Sequence, residues 1–88
     1  MSEYQVRIKN SAKSDLKKLK RSHLKEQFLD IVNTLKSNPY DLTQSFEKLQ
    51  PTSAGLYSRR LNTQHRVVYS IDDETKTVSI FSAWSHYE

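Results

Sequence analysis

The stretch Leu56-Tyr57-Ser58-Arg59-Arg60-Leu61-Asn62-Thr63-Gln64-His65-Arg66-Val67-Val68-Tyr69-Ser70-Ile71 decides the fold. Two runs rich in aromatic and β-branched residues flank a polar break, the pattern of two antiparallel strands joined by a short turn. A three-residue turn at Asn62–Gln64 pairs Leu61 with His65 and Arg60 with Arg66. Side chains alternate along a strand. One face therefore carries Tyr57, Leu61, Val67, Tyr69 and Ile71, fit to bury against helices. The other carries Leu56, Ser58, Arg60, Arg66, Val68 and Ser70. Like charges opposed across a ladder destabilise it, so Arg60 and Arg66 need a carboxylate or a phosphate between them. The plain alternative is a salt-bridged sheet face. Arg59 is a third arginine in the same hairpin.

Around this hairpin the chain reads in order. Tyr4, Val6 and Ile8 alternate with Gln5 and Arg7, a short first strand. Asn10 or Ser11 is placed to cap a helix in which Ala12, Leu16 and Leu19 form one apolar stripe. Ser22 is placed as a second N-cap, before a helix with the stronger stripe Leu24, Phe28, Ile31, Val32 and Leu35. Asn38-Pro39 ends that helix, since proline disfavours helix in the residue before it. Asp41 to Ser45 reads as polar connection, with Phe46 and Leu49 as anchors on either side of Glu47. Gly55 is positioned to supply a positive φ before the hairpin. Asp72 to Lys76 is a second turn, and Thr77 to Ala83 a last strand with Val78 and Ile80 inward.

The order strand, two helices, three strands predicts an α+β domain spanning 1–88. Two N-terminal helices pack on one face of a small, twisted, mostly antiparallel sheet. The Arg60/Arg66 face is expected to stay open.

With 88 residues, one glycine, two prolines and no cysteine, the chain has no room for glycine-rich phosphate loops, disulfides or thiolate chemistry. No apolar run approaches the ~20 residues of a membrane span, and no signal peptide precedes the charged start. The expectation is a soluble, cytoplasmic protein. The formal charge is +4, and its placement is uneven. Arg7, Lys9, Lys13, Lys17, Lys18, Lys20, Arg21 and Lys25 face a single acid, Asp15, in the same segment. A basic helix pair beside an open sheet face suits a long polyanion.

His23, His65 and His86 are scattered, with no metal-ligand spacing, no nucleophile elbow and no Walker loop. Glu47, Arg66 and His86 remain as candidates for chemistry, with Arg60 and Tyr87 as supports. Taken singly, each has a plain structural reading: surface acid, strand cation, chain-end residue, edge aromatic.

Ser45-Phe46-Glu47-Lys48-Leu49, Tyr57-Ser58-Arg59-Arg60-Leu61, His65-Arg66-Val67-Val68-Tyr69 and Ser85-His86-Tyr87 together resemble the YoeB/Txe toxins of the RelE superfamily. The likeness runs over nearly the whole chain. It implies the RelE-like fold and a ribosome-dependent endoribonuclease that cuts mRNA in the A site, inhibiting translation without a metal or other cofactor. It implies Glu47 as general base, Arg66 as the phosphate-stabilising arginine and His86 as general acid. Tyr87 orients substrate, and Arg60, Arg59 and Lys48 are expected to bind it. Some relatives carry a lysine three residues after the glutamate; here that position is Gln50, and Lys48 follows the glutamate directly. Lys13, Lys17, Lys18, Lys20 and Arg21 are expected to touch ribosomal RNA. The implied partners are a YefM-like antitoxin, the ribosome and mRNA, with operator DNA reached only through the antitoxin complex; a homodimer is compatible with this. The alternative is a non-catalytic basic RNA- or operator-binding protein of the same fold.

Overall fold

A computed structural model describes residues 3–85. The elements follow as β1 (Gln5–Ile8), α1 (Asn10–Lys20), α2 (Lys25–Ser37), β2 (Glu47–Lys48), β3 (Leu56–Arg60), β4 (Arg66–Asp72) and β5 (Thr77–Ser85). The strands form one sheet in the order β1-β5-β4-β3-β2. Only the β1–β5 pair is parallel; the others are antiparallel. The α+β reading holds, with one strand more than the sequence suggested. Glu47 and Lys48 form β2, paired with Ser58 and Tyr57.

The hairpin has the expected register. Arg60 lies opposite Arg66, Tyr57 opposite Tyr69, and the Leu61 N–H bonds the His65 carbonyl at 2.9 Å. Gly55 has φ +67°, a conformation that glycine enters without steric cost. The helices cover the face holding Val67, Tyr69, Val78 and Ile80, all fully buried, and supply Ala12, Leu19, Phe28, Ile31 and Leu35 to the same core. Burial pushes the Tyr69 hydroxyl up to about 12, and that hydroxyl donates to the Pro39 carbonyl.

Two helix starts differ from expectation. Lys9 is the N-cap of α1, and neither Asn10 nor Ser11 caps it; the Ser11 hydroxyl donates instead to the Phe81 carbonyl. Leu24 is the N-cap of α2, while Ser22 Oγ pins the turn between the helices, donating to the Leu19 carbonyl and accepting from the Leu24 N–H. Asn38 is extended ahead of Pro39 and ends α2, as its neighbour requires.

The far face of the sheet is less open than expected. Ser58 and Val68 lie on it and are 1% and 4% exposed. By alternation from Glu47, the buried Leu49 shares their side.

β5 carries two bulges. Tyr69 faces Ile80 while Arg66 faces Ser85, so β5 uses two more residues than β4 over the same length. Within the second bulge the Trp84 ring stacks on His65, with centroids 4.0 Å apart.

Candidate active site

Strand pairing brings the charged groups of the outer face together. Glu47 is the cross-strand neighbour of Ser58, and Ser58 of Val68. Arg66 sits two residues from Val68 on β4, next to Arg60 on β3. Its guanidinium reaches across β3, and Nη1 donates to Glu47 Oε2 at 2.9 Å. A carboxylate is thus found beside the arginine pair, the salt-bridged arrangement given above as the plain alternative to a bound phosphate, and it comes from the short strand β2. The pair is accessible: the Glu47 side chain is 60% exposed and that of Arg66 24%. Arg60 is exposed, and among the described residues its guanidinium has no ion-pair partner. Opposite Arg66, on the other side from Arg60, lies the backbone of Ser85. His86 and Tyr87 fall outside the described residues.

Arg59 is a correction. The resemblance puts Arg59 at the substrate, but it is fully buried on the helix side of the sheet. Alternation requires this, since Arg59 pairs with Val67 and stands between Tyr57 and Leu61. Its guanidinium donates to three backbone carbonyls: Thr43 at 2.7 Å, Asp41 at 2.7 Å and Pro39 at 2.9 Å. It also lies 4.8 Å from the centroid of Phe46. Lys48 is exposed on β2; it pairs with Tyr57, and its ammonium lies 5.8 Å from that ring.

Arg59 nevertheless serves the site from behind. Gln44 and Ser45 have φ of 56° and 54°, a left-handed conformation that costs non-glycine residues roughly 1–2 kcal/mol each. Two such residues immediately before Phe46-Glu47 need external restraint. Arg59 supplies it by gripping the carbonyls of the 39–43 connection, and the Arg60 N–H adds a bond to the Gln44 carbonyl at 2.8 Å. The loop that delivers Glu47 is therefore tied to the strand that carries Arg60.

Lys13, Lys17, Lys18, Lys20 and Arg21 are all exposed, a cationic surface on α1 and the turn after it. No group of His, Asp and Glu with metal-binding geometry occurs among the described residues. No helix among them is long and apolar enough to cross a membrane.

Residues 8–87 match the family model described as the YoeB-like toxin of bacterial type II toxin–antitoxin systems. Toxin YoeB of Synechocystis sp. is 33% identical over 75 residues, covering 85% of this chain and 78% of that protein. The YoeB/ParE toxin from Agrobacterium tumefaciens superposes with TM-score 0.83 at 24% identity, covering 94% of this chain and 99% of that one. The heterotetrameric YoeB–YefM toxin–antitoxin complex from Staphylococcus aureus contains a chain that superposes with TM-score 0.78 at 26% identity, covering 98% of this chain and 100% of that one.

Proposed function

The chain belongs to the YoeB-like toxins of bacterial type II toxin–antitoxin systems, and from that premise we propose that it is a ribosome-dependent endoribonuclease that cleaves mRNA in the A site. The observation that carries the reading is the ion pair between Glu47 and Arg66 beside Arg60 on an accessible sheet face. Connectivity supports the third member. Ser85 is the cross-strand partner of Arg66, and His86 follows it in the sequence.

The chemistry needs only these side chains. Glu47 removes the proton of a ribose 2′-hydroxyl, and the oxygen attacks the adjacent phosphorus. Arg66 and Arg60 hold the negative charge that builds on the phosphoryl oxygens. His86 gives a proton to the departing 5′-oxygen. The bond from phosphorus to that oxygen breaks, leaving a 2′,3′-cyclic phosphate and a 5′-hydroxyl. Base, electrostatic clamp and acid are all supplied by protein groups, so no metal is assigned a step. Tyr87 stacks on a base of the message, an interaction worth roughly 1–3 kcal/mol. The cationic surface of α1 lies against ribosomal RNA.

The partner in the resting cell is a YefM-like antitoxin. A cationic face with an exposed arginine suits an acidic segment that folds on binding. Operator DNA is reached through that complex, and the toxin acts in the cytoplasm, where ribosomes are.

The test is one defined message incubated with purified protein, with and without ribosomes, and its ends mapped by primer extension. Cuts inside translated codons, present only with ribosomes, are the expected result. An intact message on translating ribosomes sinks the nuclease reading and leaves a non-catalytic RNA binder.

A further inference from the structure

The last turn of the sheet before the tail is held by a helix, not by a strand. β1 ends at Ile8, paired with Ile80, and the Lys9 N–H takes the Ile80 carbonyl at 2.9 Å. From Phe81 onward β5 has no parallel neighbour among the described residues, and its bulged stretch presents backbone groups to α1. Two side chains one helical turn apart meet them. Ser11 Oγ donates to the Phe81 carbonyl at 2.7 Å, and the Ala83 N–H donates to Asp15 Oδ2 at 3.1 Å. Ala83 is fully buried, so its amide depends on Asp15 rather than on bulk water for a partner. Asp15 is also the one acid of the basic N-terminal segment. A lysine-rich helix meant only to meet RNA gains nothing from a carboxylate on its sheet-facing side.

These bonds set the path of Ser82–Ser85. They hold the bulged strand against α1 on one side, while the Trp84–His65 stack holds the next residue on the other. The strand then delivers Ser85 opposite Arg66, and the chain passes directly into His86. We propose that Asp15, with Ser11, is a positioning residue for the general acid: it fixes the course of β5 up to Ser85, the residue that precedes His86 in the sequence, relative to Arg66. This rests on the endoribonuclease reading above. A displacement of about 1 Å at a reacting group costs on the order of 10²-fold in rate, so a slackened bulge is felt in the chemical step rather than in binding.

The experiment measures single-turnover cleavage of a ribosome-bound message over a range of toxin concentrations, for Asp15→Ala, Asp15→Asn and Ser11→Ala. Asp15→Ala is expected to lower the saturating rate about tenfold or more while the half-saturating concentration stays within about threefold. Asp15→Asn keeps an acceptor oxygen and restores the rate to within about threefold of wild type. In a His86→Gln background, Asp15→Ala adds no further loss, because its effect runs through the residue already disabled. Ser11→Ala removes only a solvent-accessible bond. It keeps the question open to measurement if Asp15→Ala does not fold, with a smaller fall in saturating rate expected. Equal saturating rates for wild type, Asp15→Ala and Ser11→Ala overturn the positioning role alone. A full further loss from Asp15→Ala in the His86→Gln background overturns it too. A wild-type protein that leaves the message intact overturns the nuclease reading, and this inference with it.

Discussion

Replacing Glu47 by glutamine separates catalysis from stability more cleanly than any other single change. Glutamine keeps the shape and an acceptor oxygen for Arg66 and removes only the charge. What the fold loses is one ion pair whose carboxylate side is 60% exposed, and such pairs contribute roughly 0–1 kcal/mol. At about 2.1 cal/mol/K of unfolding entropy per residue, 88 residues convert 1 kcal/mol into about 5 °C. The melting temperature should therefore fall by no more than about 5 °C. The loss of a general base removes about 10²–10⁴ in rate, equivalent to roughly 2.7–5.4 kcal/mol of barrier. The two effects differ several-fold and are read independently: calorimetry for the fold, single-turnover cleavage on programmed ribosomes at saturating toxin for the chemistry. Cleavage within about threefold of wild type would refute the assignment of Glu47 as base. A fall in melting temperature beyond about 10 °C would show that the ion pair matters far more to the fold than its exposure allows.

Three other outcomes follow from the same geometry. Arg59→Met leaves the carbonyls of Pro39, Asp41 and Thr43 without their shared donor; at roughly 1.5–3 kcal/mol per charge-assisted bond it should cost at least about 3 kcal/mol in urea unfolding. A loss below about 1 kcal/mol would show the grip on the Glu47 loop to be dispensable. Asp73 accepts from the Tyr40 and Tyr4 hydroxyls, which hold its carboxyl below the usual range. A depressed folded pKa adds stability above the unfolded value of about 3.9, lost as pH falls through the folded one. Asp73→Asn should thus flatten the acid limb of a melting-temperature titration below about pH 4, and an unchanged limb would contradict the assignment. Reversing Lys13, Lys17 and Lys18 to glutamate should weaken ribosome association and reduce its salt slope by roughly 0.7–0.9 for each phosphate no longer neutralised; identical slopes would make those lysines a solvated helix face.

The hairpin was legible because its signals are local. Alternation, the polar break and the arginine pair all sit within one stretch, and the register follows from turn length alone. The placement of Arg59 was legible too, since a residue between Ser58 and Arg60 must face the opposite way from both. Treating all three arginines as ligands for an anion ignored that parity, and the same alternation separates Lys48 from Glu47. β2 was hidden for a different reason. Two paired residues carry almost no periodicity, and the strand exists because β3 offers an edge to a loop held by Arg59. The roles of Ser11 and Asp15 were beyond the sequence, because they answer bulges in a strand some 70 residues away. An isolated helix reading assigns Ser11 to capping, its commonest use near a helix start.

The Glu47–Arg66 ion pair also says how the site behaves before substrate arrives. Two arginines side by side on neighbouring strands repel, and in the free chain the Glu47 carboxylate neutralises one of them. The cluster of Arg60, Arg66 and Glu47 then carries two positive charges and one negative, a net attraction for phosphate with Arg60 still uncommitted. On the proposed mechanism an incoming phosphate must compete with Glu47 for Arg66, and by taking the guanidinium it leaves the carboxylate free beside the ribose. On the same mechanism the charge that accepts the proton is thus also the charge that weakens binding. Glu47→Gln removes the competitor along with the base, so at low salt the variant should bind ribosome-held message more tightly than wild type while cutting it more slowly. Partial unfolding lowers both quantities together, and a variant that merely distorts the site weakens binding. Opposite movements of affinity and rate therefore point to a carboxylate exchanged for phosphate on one arginine, and parallel movements would rule that exchange out.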